Sequence, residues 1–517
     1  MDPLRKTKVI ATLGKSTLET KQIKELLLSG VDGFRIGMRF LSPDEKTRAI
    51  RNIREAEALT GIYACVVLSL RESDMRIGNT ESGTQLQLKE GQEVKIVSDS
   101  LHIKDSGAIL CNNRDLHKLV KPGDKLLLEF GIGVLSVIAV EDVCAKKLKK
   151  SYSDQAQETK DFSRPIRYPR LKPKAHKGPT LIRCKVENDC TFDGQTPINF
   201  SSPNHYELEA SNNDLEDIRM LEWANENDVD VIVYKQFRGK EDIEAFWNFR
   251  VPKGCKRFLG VQTKESSLMC EEFLNQGEGC SIGRGALGVE TSVAEVCSLQ
   301  KQFIKLSTEK GKPVIVSTQM LESMVSNQKP TRAEVNDVFT AAYDGADSIL
   351  LSGETAYGKH PQLAVKACFD VCMEAEKHIP YQEVSEGIMN SISVPLSIAE
   401  DICYCAVKSV VWVGASLITC ITKSGKTAQT ISKFRPSCMV LAITNNLKVL
   451  RFLRIVRGVF PALIKEEEFA ESYLTQTLEI AKEKQLVQSG EKVVYVGGGR
   501  DSFVEGDTSS LKINIVP

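Results

Sequence analysis

Three apolar segments near the start of the chain decide the fold: KVIATL at residues 8–13, GFRIGM at residues 33–38 and ACVVLSL at residues 64–70. An amphipathic segment, Lys21 to Ser29, separates the first two and is closed by Gly30. A second begins at Ser42-Pro43-Asp44-Glu45, which has the pattern of a capped helix start, and runs to about Leu59. This alternation predicts parallel strands joined by crossover helices.

The same rhythm returns after about Asn212. Five further strands are predicted, at Asp228–Tyr234, Phe258–Val261, Cys280–Gly283, Pro313–Ser317 and Asp347–Leu351. Both halves together give eight βα units, so the sequence predicts a (β/α)8 TIM barrel in the α/β class.

Two further regions depart from the barrel. Short alternating strands with turn signals predict an inserted β-rich domain with a basic, flexible loop at 146–177. Towards the C-terminus, strands at Ser416–Ile421, Met439–Ile443 and Lys492–Val496 alternate with helices and predict a smaller α/β domain. The predicted domains are residues 1–72 with 205–386 for the barrel, 73–204 for the inserted β-rich domain and 387–517 for the C-terminal α/β domain.

Composition narrows the class of protein. The 517 residues carry 68 basic and 68 acidic side chains, so no net charge draws the protein to nucleic acid or acidic membranes. No apolar run reaches the ~20 residues that span a bilayer, and no signal-peptide pattern opens the chain, which predicts a cytoplasmic protein. The 15 cysteines include no C-x-x-C pair and are predicted to be mostly buried small apolar residues.

Of two glycine-containing motifs, only the second favours ligand binding. Gly283 to Gly288 matches G-x-G-x-x-G but lies mid-chain, away from the first βα turn where a dinucleotide site requires it. The run Thr422-Lys423-Ser424-Gly425-Lys426-Thr427 follows a strand and opens a helix. Hydroxyls, backbone N–H groups and two lysines there favour phosphate binding, with an ordinary capped helix start as the alternative.

Three longer runs resemble the pyruvate kinase family: KPVIVSTQMLESM at residues 312–324, PTRAE at 330–334 and DGADSILLSGETA at 344–356. The resemblance implies a barrel with a lid and a regulatory domain, and phosphoryl transfer from phosphoenolpyruvate to ADP in glycolysis. It also implies Mg²⁺ and K⁺ as cofactors, a tetramer, and fructose 1,6-bisphosphate as an activator at residues 422–427.

The family pattern of a lysine and a glutamate two residues apart, followed later by Arg-Gly-Asp, is not matched. A gapless reading back from Arg284 puts Gly260 at the lysine position, Gln262 at the glutamate position and Ala286 at the aspartate position. Neither alanine nor an amide replaces a carboxylate ligand of Mg²⁺ well. Lys264 and Glu265 could serve only after a register shift in a buried strand.

The resemblance also implies four K⁺-site positions, and these are replaced as well. They fall on Gly37, Arg39, Ser69 and Leu70, and Arg39 would put a tethered cation in place of K⁺. Substrate-facing positions survive at Arg35, Arg76, Gly285 and Thr318.

The sequence therefore predicts a pyruvate-kinase-like protein with impaired catalysis that binds metabolites or regulates an active paralogue. Weak or absent Mg²⁺ and K⁺ binding is expected. The expected partners are phosphoenolpyruvate, ADP or ATP and fructose 1,6-bisphosphate, within a homo- or hetero-tetramer, without nucleic acid or membrane. Two alternatives stay open: an active pyruvate kinase with an atypical metal site, and a structural interaction protein that docks through residues 146–177.

Overall fold

The computed structural model describes residues 5–38, 40–70, 76–77, 85–97, 108–111, 116–129, 131–142, 180–193, 196–200, 210–235, 237–464, 473–498 and 508–517. The chain divides into two compact units, Met1–Glu72 with Asn212–Pro517, and Ser73–Ser211. The three domain boundaries expected from sequence stay predictions.

The first five elements follow the predicted βαβαβ order: β1 (Lys8–Thr12), α1 (Thr20–Leu28), β2 (Gly33–Ile36), α2 (Pro43–Thr60) and β3 (Cys65–Leu70). Ser42 caps α2 as expected, because its side chain accepts from Glu45 N while the Glu45 side chain accepts from the Ser42 backbone. Pro43 occupies the first turn, where its missing N–H costs nothing.

The unit formed by residues 73–211 is built from short strands, as the sequence predicts. They are β4 (Arg76–Ile77), β5 (Gln85–Leu88), β6 (Glu93–Val97), β7 (Ile109–Leu110), β8 (Lys125–Leu128), β9 (Gly133–Asp142), β10 (Thr180–Val186), β11 (Cys190–Asp193) and β12 (Thr196–Phe200), with one short helix, α3 (Leu116–Leu119). Seven strands form one sheet in the order β4-β12-β8-β9-β10-β6-β7, and β11 pairs with β5. The basic loop at 146–177 lies outside the described residues.

The chain then returns to alternating helices and strands. The strands are β13 (Val231–Tyr234), β14 (Lys256–Val261), β15 (Gly279–Gly283), β16 (Val314–Ser317) and β17 (Ser348–Leu351). The helices are α4 (Ala210–Glu226), α5 (Lys240–Asn248), α6 (Lys264–Leu268), α7 (Cys270–Gln276), α8 (Arg284–Glu290), α9 (Val293–Glu309), α10 (Arg332–Tyr343), α11 (Gly353–Ala356) and α12 (Pro361–Lys377), with a 3-10 turn at Glu322–Val325.

Eight strands close into a parallel barrel in the order β1-β17-β16-β15-β14-β13-β3-β2, which confirms the predicted (β/α)8 fold. Alternate residues of each strand belong to different apolar clusters. Val9 and Ala11 pack outward with the helices, whereas Ile10 belongs to the cluster inside the barrel. Burial on both faces explains why these strands read as near-continuous apolar runs.

The remaining elements form an α/β layer beyond the barrel. They are α13 (Tyr381–Ser391), α14 (Ile398–Val413), β18 (Leu417–Ile421), α15 (Lys426–Lys433), β19 (Met439–Thr444), α16 (Leu447–Leu453), β20 (Val459–Leu463), α17 (Tyr473–Glu483), β21 (Lys492–Gly497) and β22 (Ser510–Ile515). The sheet order is β20-β19-β18-β21-β22, parallel except for β22. The predicted C-terminal α/β domain is thus confirmed, with β20 and β22 as additional edge strands.

Two general expectations can be checked on the described residues. Most of the described cysteines are buried, as expected of small apolar residues, while Cys297 and Cys405 are exposed. None of the described helices is long and apolar enough to cross a bilayer.

Candidate functional site

The candidate site is the carboxyl end of the barrel, where the strands of a TIM barrel present their functional side chains. Inward-facing positions can be followed strand by strand. In β13, Val231 and Val233 belong to the interior cluster and Tyr234 to the outer one, so Lys235 continues the inward row at the mouth. In β14 the same reasoning places Phe258 and Gly260 inside.

Arg35 is the inward cation of β2, and only 6% of it is exposed. Its Nε donates to Ser69 Oγ at 2.9 Å and its Nη1 donates to Thr12 Oγ1 at 3.4 Å, so hydroxyls from both neighbouring strands orient the guanidinium. Burial lowers the pKa of Arg35 to about 10, which still leaves it protonated at neutral pH. The structure thus provides a fixed positive charge at this expected substrate contact.

Gly260, at the position where the resemblance implies a lysine, is overlaid by the side chain of its neighbour Lys235. A Cβ built on Gly260 would lie 2.9 Å from Lys235 Cγ and 3.0 Å from Lys235 Cα. Lys235 follows β13 directly and is 7% exposed. A side chain on residue 260 would therefore meet both the Lys235 stem and the backbone of residues 234 and 235.

Gln262 lies one residue past the end of β14 and is 7% exposed. A Cβ on Gly283 would meet Gln262 Nε2 at 2.4 Å, which places this amide against the end of β15. Ala286 lies in the first turn of α8, just after β15. The two positions at which the resemblance implies carboxylates are thus at the ends of adjacent strands, and neither carries one.

Lys264 and Glu265, the residues that a register shift would bring in, are placed by a helix cap and by an ion pair of Glu265. Thr263 caps α6 with a capping box to Ser266, so the helix begins at Lys264. Glu265 Oε2 accepts from Arg238 Nη1 at 2.8 Å, and Lys264 N donates to Glu290 Oε2 at 2.9 Å. Shifting β14 would break this cap as well as the barrel pairing of Gly260 with Ser281.

Among the described mouth residues, the two positions at which the resemblance implies Mg²⁺ ligands carry an amide and a methyl group, and neither is a good ligand for a hard cation. Weak Mg²⁺ binding stays a prediction. Of the four K⁺-site positions, Gly37 follows β2, Ser69 Oγ accepts the Arg35 hydrogen bond and Leu70 packs in the outer apolar cluster. Arg39 lies outside the described residues.

Thr318 and Gly285 meet at the ends of β16 and β15. Gly285 N donates to Thr318 Oγ1 at 2.8 Å, and Thr318 Oγ1 donates to the Ser317 carbonyl at 2.6 Å. Thr318 has φ of 68° and Gln319 has φ of 52°, which is strained for residues with a side chain, most of all for β-branched threonine. Arg284 holds this turn by donating to the carbonyls of Thr318 and Gln319.

Two glutamates in the runs that carry the resemblance maintain the loop after β16. Glu334 caps α10 with Thr331 and also accepts from Ser323 N and Oγ at 2.6 and 2.5 Å. Glu354, fully buried, accepts from Leu321 N at 3.0 Å and Ser352 N at 2.6 Å. These motif residues therefore have a structural role here that does not depend on catalysis.

Arg76 lies in β4 of the other unit, where it pairs with Pro197 of β12.

The phosphate-binding candidate lies in the C-terminal layer, between β18 and α15. Gly425 caps α15 with φ of 86° and donates its N–H to Thr422 Oγ1 at 3.0 Å, while Lys423 and Lys426 are exposed. Thr427 Oγ1 lies 2.9 Å from Thr508 Oγ1. The loop is thus a glycine-capped turn with both lysines accessible.

Sequence reasoning missed Lys235. The signal was present, because reading every second residue of the predicted strand 228–234 onward leads from Val231 and Val233 to Lys235. Only the register between β13 and β14, Tyr234 opposite Leu259, shows that Lys235 lies next to Gly260.

Comparisons with known proteins agree with this architecture. The family model "Pyruvate kinase, barrel domain" matches residues 4–163 and 170–365, and "Pyruvate kinase, alpha/beta domain" matches residues 400–514. A pyruvate kinase of Eimeria tenella is 29% identical over 99% of this chain and 89% of its own length. A cytosolic pyruvate kinase isozyme of Glycine max is 29% identical over 95% of this chain and 93% of its own.

A solved structure is similar along nearly the whole chain. It is a pyruvate kinase of Cryptosporidium parvum, 28% identical, with a TM-score of 0.77 over 99% of this chain and 96% of that one. The matching family models, the closed barrel and the C-terminal sheet lead to one conclusion: the chain belongs to the pyruvate kinase family.

Proposed function

We propose that this family member binds phosphorylated metabolites at the barrel mouth but transfers the phosphoryl group slowly or not at all. One observation carries the proposal: Gly260, Gln262 and Ala286 stand together at the mouth where the family pattern has a lysine and two carboxylates. Phosphoryl transfer depends on positioning and on positive charge around the transferring group. The weak Mg²⁺ and K⁺ binding expected from the sequence belongs to this proposal.

The expected decrease in the rate of phosphoryl transfer can be estimated from the typical effect of removing one catalytic group. Removing one preorganised electrostatic contributor typically costs ~10²–10³ in rate. Here two metal ligands and an amine are replaced together, and groups that act as a unit are not additive. A rate lower than that of an intact relative by at least about a thousandfold is therefore the expected result.

A coupled assay tests this. The full-length protein is given phosphoenolpyruvate and ADP with Mg²⁺ or Mn²⁺, with and without K⁺, beside a family member that has the intact lysine and carboxylates. The expected turnover is near background in every condition. The names of the similar proteins suggest instead an active enzyme. Turnover within tenfold of the relative that is lost in Thr318→Ala would establish an active enzyme with an atypical metal site.

A sugar bisphosphate at Thr422–Thr427 is a second proposed function, which the accessible lysines and the Gly425 cap support. A ligand that binds only the folded protein raises the melting temperature by mass action. Fructose 1,6-bisphosphate should therefore stabilise the wild type and not Lys426→Ala. Equal stabilisation of both proteins, or none, would remove this part of the proposal.

The partners proposed are phosphoenolpyruvate, ADP or ATP and a second copy of this chain or of an active paralogue, in the cytoplasm. Ile398 and Trp412 on α14 are each 73% exposed, and such large apolar side chains favour a protein contact. Sedimentation of the purified protein tests the assembly.

A docking role for residues 146–177 would gain support only if both ligand tests fail and deletion of that loop abolishes partner binding.

A further inference from the structure

A cavity of about 330 Å³ lies where the barrel meets the C-terminal layer. Asp344 and Gly345, which precede β17, form part of its wall, so it lies at the amino end of the barrel strands. This end is opposite to the mouth. The volume is within the range of small-molecule binding sites. The cavity is therefore separate from the site proposed above and has the size of a ligand pocket.

The walls of the cavity are largely apolar. Helix α13 contributes Val384 and Ile388, and Ile379 precedes that helix. Gly387, also on α13, leaves this wall open, because no atom lies within 4 Å of a Cβ built on it. Apolar walls with unfilled space between them favour a ligand with an apolar body.

Two arginines form the floor of the cavity. Arg435 and Arg457 line it with only 6% and 3% of their surface exposed. Arg457 Nη1 donates to neutral oxygens, Thr7 Oγ1 at 2.6 Å and the Ala346 carbonyl at 2.8 Å. Arg435 Nη2 lies 3.4 Å from Asp347 Oδ2, and among the described residues this is the one carboxylate that pairs with either guanidinium. The floor therefore carries an excess of positive charge.

The rim of the cavity does not cancel that charge. Lys305 and Glu309 line the rim with opposite charges. Asp344 is already paired with Lys301, whose Nζ lies 2.6 Å from Asp344 Oδ1.

Both floor arginines have a nitrogen that is left without a partner. Arg435 Nε and Arg457 Nη2 are buried and have no acceptor at hydrogen-bond geometry, although the Tyr381 hydroxyl lies close to the Arg457 side chain. Buried donors without acceptors are unfavourable, and a carboxylate is among the strongest acceptors for a guanidinium. Side-chain adjustments of the kind that are common on binding would bring these nitrogens to a carboxylate in the cavity.

We propose that this cavity binds a small carboxylic acid with an apolar body, its carboxylate towards Arg435 and Arg457 and its apolar part against α13. The proposal goes beyond the proposed function and does not depend on it. The lining residues belong to α9 and α13 and to the segments that follow α15 and α16. A bound acid thus contacts both the barrel and the C-terminal layer and stabilises their junction.

The test is binding of two probe acids, 3-phenylpropanoate and octanoate, to the full-length protein. Calorimetry measures the affinity, and the shift in melting temperature at millimolar ligand measures stabilisation. The control ligand is 3-phenylpropanamide, which has the same apolar body without the charge. Both acids should bind and raise the melting temperature, and the amide should bind at least about tenfold more weakly.

Gly387→Leu tests the place of binding. The new side chain should fill the cavity without strain and weaken the binding of both acids at least about tenfold. Asn390→Leu is the matched control, because it adds the same side chain to an exposed position of α13 that does not line the cavity. It should bind the acids like the wild type.

Arg457→Gln tests the charge. This variant should bind the acids more weakly and leave the weak binding of the amide unchanged. If it does not fold, the comparison of acid with amide on the wild type still tests the charge.

The proposal is overturned if neither acid binds, if the amide binds as tightly as the acids, or if Gly387→Leu binds the acids like the wild type. If neither acid binds and Gly387→Leu changes the sedimentation of the protein, the cavity is a contact between copies of this chain and the proposal is again wrong. Failure of phosphoenolpyruvate to bind at the mouth would defeat the proposed function alone, because these measurements concern the opposite end of the barrel.

Discussion

Gly260 and Lys235 are neighbours across β13 and β14. A side chain on residue 260 would meet the Lys235 stem and the backbone of residues 234 and 235, so this position is restricted to glycine. Arg35 shows the opposite case, since it keeps its place through hydroxyls of the two flanking strands. Individual site positions thus depend on their neighbours across the sheet.

Gly260→Ala should destabilise the protein by about 1–3 kcal/mol, because overpacking a dense interior forces its neighbours to shift. The new methyl would lie 2.9 Å from Lys235 Cγ, 3.0 Å from Lys235 Cα and 3.1 Å from the Tyr234 carbonyl oxygen, and two of these atoms are backbone. Urea unfolding monitored by circular dichroism measures the change.

Gly387→Ala is the control for that substitution. Gly387 lies inside α13 with nothing within 4 Å of a built Cβ, so alanine should stabilise the helix by ~0.5–1 kcal/mol. A Gly260→Ala protein as stable as the wild type would show that the space over Gly260 is open and would contradict the crowding described here.

At the scale of elements, the loop after β16 is held by carboxylates on the helices that follow. Glu334 accepts hydrogen bonds from both Ser323 and Thr331, and Glu354 from Leu321 and Ser352. Burial tends to raise the pKa of Glu334, but these hydrogen bonds outweigh it and leave the pKa lowered. For Glu354 burial dominates and raises the pKa.

Glu334→Gln should lower the free energy of unfolding by about 1–2 kcal/mol, because one side of the amide cannot accept the hydrogen bonds that the carboxylate accepts. Because the pKa of Glu334 is lowered, its contribution to the free energy of unfolding is complete above pH 4.5 and is lost as the pH falls through the lowered pKa. Glu334→Gln has no carboxylate to protonate at this position, so the variant should lose less stability in acid. Unfolding at several pH values measures both effects.

The comparison for Glu334 is Glu295→Gln on α9. Glu295 forms a capping box with Ser292 of the same kind. The loss there should be the smaller of the two, since Glu334 also binds Ser323. Equal losses at both sites would mean that the contact to the β16 loop contributes nothing.

Strand positions could be read from the sequence because barrel strands are buried on both faces and form short, distinct apolar runs. The strands that sequence reasoning missed, β20 and β22, are the two edges of the C-terminal sheet. Pro461 interrupts the pattern in β20, as is common for an edge strand, and β22 alternates apolar with polar residues but is short and partly exposed.

The candidate site was predicted only in part. The positions Gly260, Gln262 and Ala286 follow from a gapless register, since insertions inside buried strands are disfavoured, and their assignment as replaced site residues stays a prediction. The location of Lys235 beside Gly260 could not be predicted, because it depends on which strands are neighbours in the closed barrel.

At the scale of the whole molecule, buried ion pairs connect the barrel to the C-terminal layer within one compact unit. Arg451 Nη2 lies 2.9 Å from Glu57 Oε2, with 7% and 5% of the two side chains exposed, and Arg451 Nη1 lies 3.0 Å from Asp228 Oδ2. Arg435 reaches Asp347 at 3.4 Å. The two layers should therefore unfold together.

Arg451→Ala should destabilise this unit by about 1.5–3 kcal/mol, because the buried Glu57 carboxylate loses one of its two arginine partners and keeps Arg54 at 2.8 Å. The exposed pair Arg48–Glu19 is the control, and Arg48→Ala should cost no more than ~1 kcal/mol. Scanning calorimetry measures both. A small loss for Arg451→Ala, or two separate transitions in the wild type, would contradict the description of one cooperative unit.

The central claim is that the barrel mouth lacks the carboxylates that would hold a divalent metal ion, and Mn²⁺ binding tests it most directly. The electron paramagnetic resonance signal of free Mn²⁺ is titrated with the full-length protein in the presence of phosphoenolpyruvate, beside the variant Gln262→Glu/Ala286→Asp. We predict no protein-bound Mn²⁺ for the wild type at concentrations where the variant binds one ion. Stoichiometric Mn²⁺ bound to the wild type, and lost in Gln262→Ala, would contradict the account.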